Sequence, residues 1–185
     1  MKTNNRYGIW ALYTLLLLVA SIHAGAQGCY FVNYGTSVVV VSGSAHLVVK
    51  GSIVDSTNAT FDNSGIIQLT GDWRNNSGTP ALINSSPGKV YLEGAAQRIR
   101  GSNVTRFYDL MLKGTGIKSL FQVSVLVQDS LVLNNHEFAA DTNTVYETNA
   151  ATGIITRTSG FISSLSNGGL SRKMNQSAVY SFAVG

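Results

Sequence analysis

The sequence predicts an all-β protein built as a parallel β-solenoid, in which the strands of successive turns stack on one another. A short pattern of alternating apolar residues followed by Gly recurs about every twenty residues. No segment with helical periodicity lies between its copies. The chain also has 19 Gly and only 2 Pro among 185 residues, and it is rich in Ser, Thr, Asn and Val, a composition that suits strands and tight turns.

Each copy of the pattern has a period of two, which is typical of a strand with one buried face. The Gly that ends a copy predicts either a positive φ or a close approach of another backbone. In the fifth copy Asn135 takes the place of that Gly, and Asn tolerates left-handed geometry better than other side chains. The copies span residues 47–51, 67–71, 90–94, 110–114 and 131–135, and they begin 20, 23, 20 and 21 residues apart.

Stacking the copies predicts two inward ladders of aliphatic side chains and one outward ladder of polar ones. Glu93 and Lys113 are then neighbours of opposite charge on the outward ladder, an arrangement that is compatible with the sheet, whereas two like charges there would destabilise it. The longer second interval, of 23 residues, places a loop insertion within residues 75–88, which hold both prolines. The inward ladders are Leu47, Ile67, Val90, Leu110, Leu131 and Val49, Leu69, Leu92, Leu112, Leu133; the outward ladder is Lys50, Thr70, Glu93, Lys113, Asn134.

The alternative fold is an antiparallel β-sandwich, because strands separated by frequent turn signals also fit that architecture. The regular position of the Gly and the weakness of the hairpin signals favour the solenoid. The two folds differ in one pairing: the solenoid requires Leu69 and Leu92 to lie on adjacent parallel strands.

The first 26 residues have the features of a secretory signal peptide. Lys2 and Arg6 precede a mostly apolar run over residues 9–22, and Ala24-Gly25-Ala26 supplies small residues for cleavage. The run is shorter than the ~20 residues of a membrane-spanning helix, so we expect no stable membrane span after cleavage; the alternative is an uncleaved membrane anchor.

Cleavage also changes the charge of the chain. Lys2 and Arg6 are two of the 13 Lys and Arg residues, so 11 remain against 9 Asp and Glu, a net charge of +2. This small excess does not suggest a nucleic-acid partner.

Cys29 is the only cysteine, so the chain can form no internal disulfide and no multi-cysteine metal site. A lipid anchor would place Cys29 itself at the new N-terminus. The preceding residues Ala26-Gln27-Gly28 lack the usual branched or Leu residue three positions upstream. We therefore expect a lone thiol near the mature N-terminus.

The pattern changes after residue 136. We assign residues 27–136 to the solenoid and residues 137–185 to an irregular segment that begins a further β module. Residues 154–162 resemble a strand pair, and residues 180–185 form an apolar strand pattern without a polar tail. Because a solenoid needs capped ends, we expect the chain to be the N-terminal part of a longer protein.

Residues 88–112 resemble a segment of large secreted surface proteins of gliding bacteria that use type IX secretion. The resemblance rests on Gly88-Lys89-Val90-Tyr91-Leu92-Glu93-Gly94, Gln97-Arg98-Ile99-Arg100-Gly101 and Phe107-Tyr108-Asp109-Leu110. Residues 65–76, with a Gly-Asp-Trp-x-Asn-Asn core at 71–76, and residues 181–185 are similar to neighbouring segments of those proteins. Asp109 and Ala183 depart from the usual Asn and Pro. The resemblance implies secretion and a β-solenoid-like repeat region, and it brings no catalytic residues.

The residues show little sign of catalysis or metal binding. The mature chain contains only His46 and His136, and both are expected at the surface. No nucleophile elbow, calcium loop or phosphate cradle is present. Four carboxylates are candidates for a glycoside-cleaving pair, and Asp62 and Asp72 are also candidate calcium ligands: Asp62, Asp72, Glu93 and Asp109. Asp62 and Asp72 are expected at different corners of the coil, so we assign no catalytic, cofactor-binding or metal-binding residues.

Three aromatic residues are candidates for a platform that stacks on sugars. Trp73 falls on the inward phase of its strand and is expected in the core. Tyr91 falls on the outward phase and is a candidate contact residue, and Tyr108 is the third.

These features favour a secreted or cell-surface structural or adhesive protein without enzymatic activity. Its flat, polar faces are expected to bind carbohydrate or surface proteins weakly, through many contacts. The alternative is the N-terminal part of a polysaccharide-active secreted enzyme, which would need two carboxylates ~5–9.5 Å apart in one cleft. A purely structural spacer is a third hypothesis.

Overall fold

A computed structural model describes residues 28–78 and 87–185 of the chain. The predicted signal peptide at residues 1–26 lies outside the described residues, and so does most of the predicted loop insertion. The described residues form strands and turns without any helix. The strands are β1 (Tyr30–Asn33), β2 (Val38–Val41), β3 (His46–Val49), β4 (Ser52–Thr57), β5 (Thr60–Asn63), β6 (Ile66–Leu69), β7 (Trp73–Ser77), β8 (Lys89–Leu92), β9 (Gln97–Gly101), β10 (Thr105–Leu112), β11 (Lys118–Phe121), β12 (Val125–Asn134), β13 (Glu137–Ala139), β14 (Thr144–Glu147), β15 (Ile155–Arg157), β16 (Phe161–Ser163) and β17 (Gly169–Arg172).

Every pairing between these strands is parallel, and partners lie one turn apart in the sequence. A seven-stranded sheet has the order β1-β4-β7-β9-β11-β13-β16, and an eight-stranded sheet has the order β17-β14-β12-β10-β8-β6-β3. The short sheet β2-β5 adds a third side to the first turns. In later turns the long strands β10 and β12 supply two sides each, and the register between them shifts after Phe107. The second half of β10 pairs with β8. The first half of β12 pairs with β14 and its second half pairs with β15. The fold is a parallel β-solenoid of about six turns.

The register confirms the repeat that the sequence predicts. Leu69 pairs with Leu92 on the adjacent parallel strand, which is the pairing that an antiparallel sandwich does not contain. The inward ladders continue through Val90 opposite Leu110 and Leu110 opposite Leu131. Every member of these ladders is buried except Leu47, which is partly exposed in the first turn.

The parallel pairing continues past residue 136, where we expected an irregular segment. Strand β13 pairs with β11 and β16 in the seven-stranded sheet, and β14 pairs with β12 and β17. Strands β15 and β16 do not form the expected pair with each other, because β15 joins β12 and β16 joins β13. The sequence pattern misses this part because its strands are short and their inward residues include Glu147 and Arg172.

A stack of aromatic rings fills the core of the first four turns. Phe61 lies 5.6 Å from Trp73, and Trp73 lies 5.4 Å from Phe107 in an edge-to-face arrangement. The ring of Phe31 extends the stack at 6.1 Å from Phe61. Trp73 is fully buried, as predicted, and its indole Nε1 donates a hydrogen bond of 3.1 Å to Thr105 Oγ1. The stack thus joins side chains from four turns that are far apart in sequence.

The Gly that follows each repeat strand is required mainly by the close approach of the neighbouring turn. A side chain at Gly94 would collide with the backbone carbonyl of Thr70 one turn earlier. Gly114 meets the backbone of Glu93 in the same way and also has a φ of +70°. In the fifth copy the positive φ belongs to Asn134, at 52°, and not to Asn135, where we expected it.

The C-terminal residues fold back onto the last turns. Ile162 N donates to the Ala183 carbonyl at 2.7 Å, and Ile162 forms an isolated parallel bridge with Val184. The buried guanidinium of Arg172 donates to the carbonyls of Ser181, Ala151 and Thr152. This segment covers the last turn without adding a regular strand. In the described part of the chain, no helix has the length and apolar character needed to cross a membrane.

Candidate functional site

Three arginine side chains lie together on the outer surface of the seven-stranded sheet. Arg74 belongs to β7, and Arg98 and Arg100 belong to β9. Phe121 extends the group on β11, with 44% of its surface exposed. We call these four residues the arginine face.

Strand periodicity places the arginines on one side of the sheet. Trp73 and Ile99 point into the core from β7 and β9, so the residues next to them point outward. In the register of the sheet Arg74 is the direct partner of Arg100, and Arg100 is the direct partner of Phe121. Two guanidinium groups thus occupy neighbouring outward positions on strands ~4.8 Å apart. Like charges in such positions destabilise a sheet, so the pair is not explained by folding alone.

One carboxylate partly balances these charges. Asp72 Oδ2 lies 2.9 Å from Arg100 Nε, although off the direction of the N–H bond, and Asp72 Oδ1 accepts the backbone N–H of Arg98 at 2.8 Å. The guanidinium of Arg98 stacks over the Phe121 ring, 5.3 Å from its centroid. No carboxylate within the described residues forms an ion pair with Arg74.

The arginine face lines a shallow, open groove. The groove has a volume of about 450 Å³, and Arg74, Arg100 and Phe121 line it together with the amides of Asn76 and Gln122. A second groove, of about 310 Å³, is lined by Arg98 together with Asp72 and Ser119. Together the two grooves present cationic, amide and aromatic side chains, and the strand pairing of the sheet fixes the positions of these side chains relative to one another.

The comparisons with known proteins return no match. No family model matches the chain, and neither a curated protein nor a solved structure is significantly similar to it. The function is therefore argued from the residues and their geometry.

The two histidines differ in their surroundings. His46 is exposed on β3, as predicted. His136 is 8% exposed, so the prediction of a surface position for it is wrong. The residue lies in the tight turn between β12 and β13, where its backbone N–H donates to the Leu133 carbonyl and its own carbonyl accepts from Phe161. The hydrogen bond from Phe161 joins His136 to the next turn of the solenoid, which covers it.

The carboxylates that the sequence singled out do not come together as one group. Asp62 lies on β5 and not in a turn as predicted, while Asp72 lies in the corner before β7 beside Arg100. Glu93 forms the predicted ion pair with Lys113 at 3.2 Å and also accepts from Gln68 Nε2 at 3.0 Å. Asp72 and Glu93 are thus each paired with a cation rather than with another carboxylate.

Asp109 does have a carboxylate neighbour, Asp129, which sequence reasoning missed. Burial raises the pKa of Asp109, the nearby charge of Asp129 raises it further, and the charge of Lys89, whose Nζ lies 4.0 Å from Asp109 Oδ2, lowers it.

The predicted aromatic platform is not formed. Trp73 is in the core, Tyr91 lies outward on β8, and Tyr108 lies at the register shift of β10. The ammonium of Lys113 covers the Tyr91 ring, 4.0 Å from its centroid. Phe121, which the sequence did not single out, is instead the aromatic residue that accompanies the arginines.

Two buried polar residues support the corner beneath the arginine face. Gln97 and Lys118 are direct partners in the sheet, and both point inward. Lys118 Nζ donates to the carbonyls of Gly94, Ala95 and Thr115 at 2.7, 2.6 and 2.9 Å. Burial lowers the pKa of Lys118 to about 8, while the three carbonyls favour the ammonium form. The side chain therefore fixes the backbone of the corner next to Arg98.

A row of inward amides and one carboxyl lies at the opposite corner. Asn33, Asp55 and Asn75 occupy equivalent positions on β1, β4 and β7. Asn33 Nδ2 donates to Asp55 Oδ1 at 3.0 Å, whereas Asp55 Oδ2 has no hydrogen-bond donor within the described residues. Burial raises the pKa of Asp55 to about 7, and the bond from Asn33 opposes this only in part.

Asp55→Asn is expected to stabilise the protein at alkaline pH and to change little near pH 4. The pKa of Asp55 rises from 3.8 in the unfolded chain to about 7 in the fold. The folded protein therefore holds a proton that the unfolded chain releases, and stability falls as pH rises between these values, by on the order of 4 kcal/mol. Urea unfolding at several pH values measures this slope.

The matched control for Asp55→Asn is Asp141→Asn, the same chemical change at a partly exposed turn. It should not remove the part of the slope of stability against pH that Asp55 contributes. Glu147 contributes a slope of the same sign, because burial raises its pKa to about 7 despite the nearby charge of Arg172. An Asp55→Asn variant with the wild-type slope would contradict the assignment.

Within residues 28–78 and 87–185, no three His, Cys, Asp or Glu side chains form a group able to hold a metal ion. The sequence repeat does not reveal the arginine face, because the repeated pattern covers only one of the strands in each turn. The alternation Gln97-Arg98-Ile99-Arg100 indicates the arginine face, because Arg98 and Arg100 lie on the side of the strand that faces away from the buried Ile99.

Proposed function

We propose that this chain is a secreted or cell-surface β-repeat protein without enzymatic activity. It presents a stiff surface for weak contacts with carbohydrates or surface proteins, in the manner of the type IX-secreted proteins that its repeat resembles. The observation that carries the proposal is the arginine face: outward cationic and aromatic side chains held in register on a continuous parallel sheet. Side chains fixed in this way bind without first being ordered, which lowers the entropic cost of each contact.

The arrangement of the carboxylates also supports binding over cleavage. Asp72 is paired with Arg100 and Glu93 with Lys113. Neither is paired with a second carboxylate in these contacts.

Export is tested by recovering the protein from the producing cells and sequencing its N-terminus. The proposal predicts protein outside the cytoplasm that begins at residue 27. Intracellular protein that retains Met1 would contradict it.

Binding is tested by co-sedimentation of the exported protein with insoluble polysaccharides, with release of reducing ends measured in parallel. The proposal predicts retention on at least one polysaccharide without release of sugar. Steady release that Asp109→Asn abolishes would instead support the enzyme alternative.

A further inference from the structure

We infer that the arginine face binds an acidic polysaccharide whose sugars carry carboxylate groups. Arg74 and Arg100 each take one carboxylate, and Phe121 packs against a sugar ring. This inference rests on the proposed binding function and narrows its ligand to one chemical class.

The unbalanced charge on the face is the first argument. Arg74 and Arg100 are direct partners on adjacent strands, and Asp72 lies beside Arg100 and Arg98 but not beside Arg74 in the observed contacts. Glu137, another acidic residue on this sheet, lies two strands beyond β9 and accepts a hydrogen bond from Ser163. A ligand with regularly spaced negative charges would relieve the repulsion between the two guanidinium groups.

The chemistry of the side chains is the second argument. Guanidinium groups bind carboxylates through two parallel hydrogen bonds, which fixes orientation as well as charge. The groove between them also carries the amides of Asn76 and Gln122, which suit sugar hydroxyls, and the exposed ring of Phe121. A polyuronate, with one carboxylate and one apolar ring face per sugar, matches this mixture.

The extent of the charge favours a polysaccharide over a nucleic acid. Along the sheet, the outward positions next to the arginines are Val54 before Arg74 and Ser119 after Arg98. The basic track is therefore only two strands wide. Nucleic-acid grooves combine long basic tracks with several aromatic residues for successive bases, and this face has a single exposed aromatic ring.

The test is a titration of the exported protein with polygalacturonate, with neutral dextran, dextran sulfate, polyglutamate and single-stranded DNA as comparison ligands. The affected variant is Arg74→Gln combined with Arg100→Gln. The control is Lys50→Gln combined with Lys173→Gln, which removes the same charge from exposed positions elsewhere. Circular dichroism and thermal unfolding confirm that both variants remain folded.

We expect the arginine variant to bind polygalacturonate at least about tenfold more weakly, because it loses two charge-assisted contacts. The control should bind within about twofold of the wild type, as weak screening of remote charges predicts. Equal losses in both variants would overturn the assignment to this face. If dextran sulfate, polyglutamate or DNA binds more tightly than polygalacturonate, the assignment of a carboxylated polysaccharide as the ligand is overturned, although a binding function remains. Failure to bind any polysaccharide, neutral or acidic, would contradict the proposed carbohydrate contacts themselves.

Discussion

Trp73→Ala is expected to cost about 3–5 kcal/mol of unfolding free energy, the range for removing a large aromatic side chain from a core. The indole is fully buried between Phe61 and Phe107. Its removal opens a cavity in the middle of the aromatic stack and leaves Thr105 Oγ1 without its donor. Urea unfolding followed by circular dichroism measures the loss.

Two further variants make the Trp73 experiment decisive even if the alanine variant does not fold. Trp73→Phe keeps a ring in the stack and loses only volume and one hydrogen bond, so its cost should be smaller. Phe121→Ala removes a ring from the outer surface of the same sheet and should cost clearly less than Trp73→Ala, because 44% of Phe121 is already exposed in the fold. If Trp73→Phe costs no more than Phe121→Ala, the stack does not hold the turns together.

Lys118→Met is expected to cost about 2–4 kcal/mol, because it removes a buried ammonium that donates to three backbone carbonyls. The carbonyls belong to Gly94, Ala95 and Thr115. The apolar replacement is similar in length, so the loss reports the hydrogen bonds more than the volume. Thermal and urea unfolding at neutral pH measure the difference.

The pH dependence separates this effect from simple repacking. The pKa of Lys118 falls from 10.5 to about 8 on burial. Above pH 8 the unfolded chain keeps a proton that the fold releases, so wild-type stability should rise towards pH 10.5, and Lys118→Met should lack this rise. The control is Lys113→Met, which removes a partly exposed pair with Glu93 and should cost less than about 1 kcal/mol. Equal costs for the two variants would show that Lys118 does not fix the corner.

The sequence predicts the fold where the inward residues are apolar. Strands β6, β8 and the second halves of β10 and β12 follow a simple alternation of Leu, Ile and Val, so their stacking is visible as a repeat. The seven-stranded sheet carries no such signal, because its inward positions include Asn75, Gln97 and Lys118. These polar residues are buried to bind the carbonyls of the corners, and hydrophobic periodicity cannot identify that role.

The candidate site was not predicted for a related reason. An arginine in a strand reads as a solvated residue unless its partner on the next strand is known. Only the register, with Arg74 opposite Arg100, shows that two like charges are neighbours. The burial of His136 was missed because it depends on the turn that follows, through the contact of Gly160 with the His136 backbone.

A distance between spin labels tests the central claim, that the outward positions of successive turns form one stiff, in-register column. Val48 and Thr156 lie on β3 and β15, five strand steps apart through residues that are direct partners. With labels at Val48→Cys and Thr156→Cys, and with the exposed Cys29 replaced by Ser, pulsed electron paramagnetic resonance should give one narrow distribution near ~24 Å, five times the strand spacing. A broad distribution, or a maximum far from this distance, would contradict the stacked column and with it the surface on which the proposed binding depends.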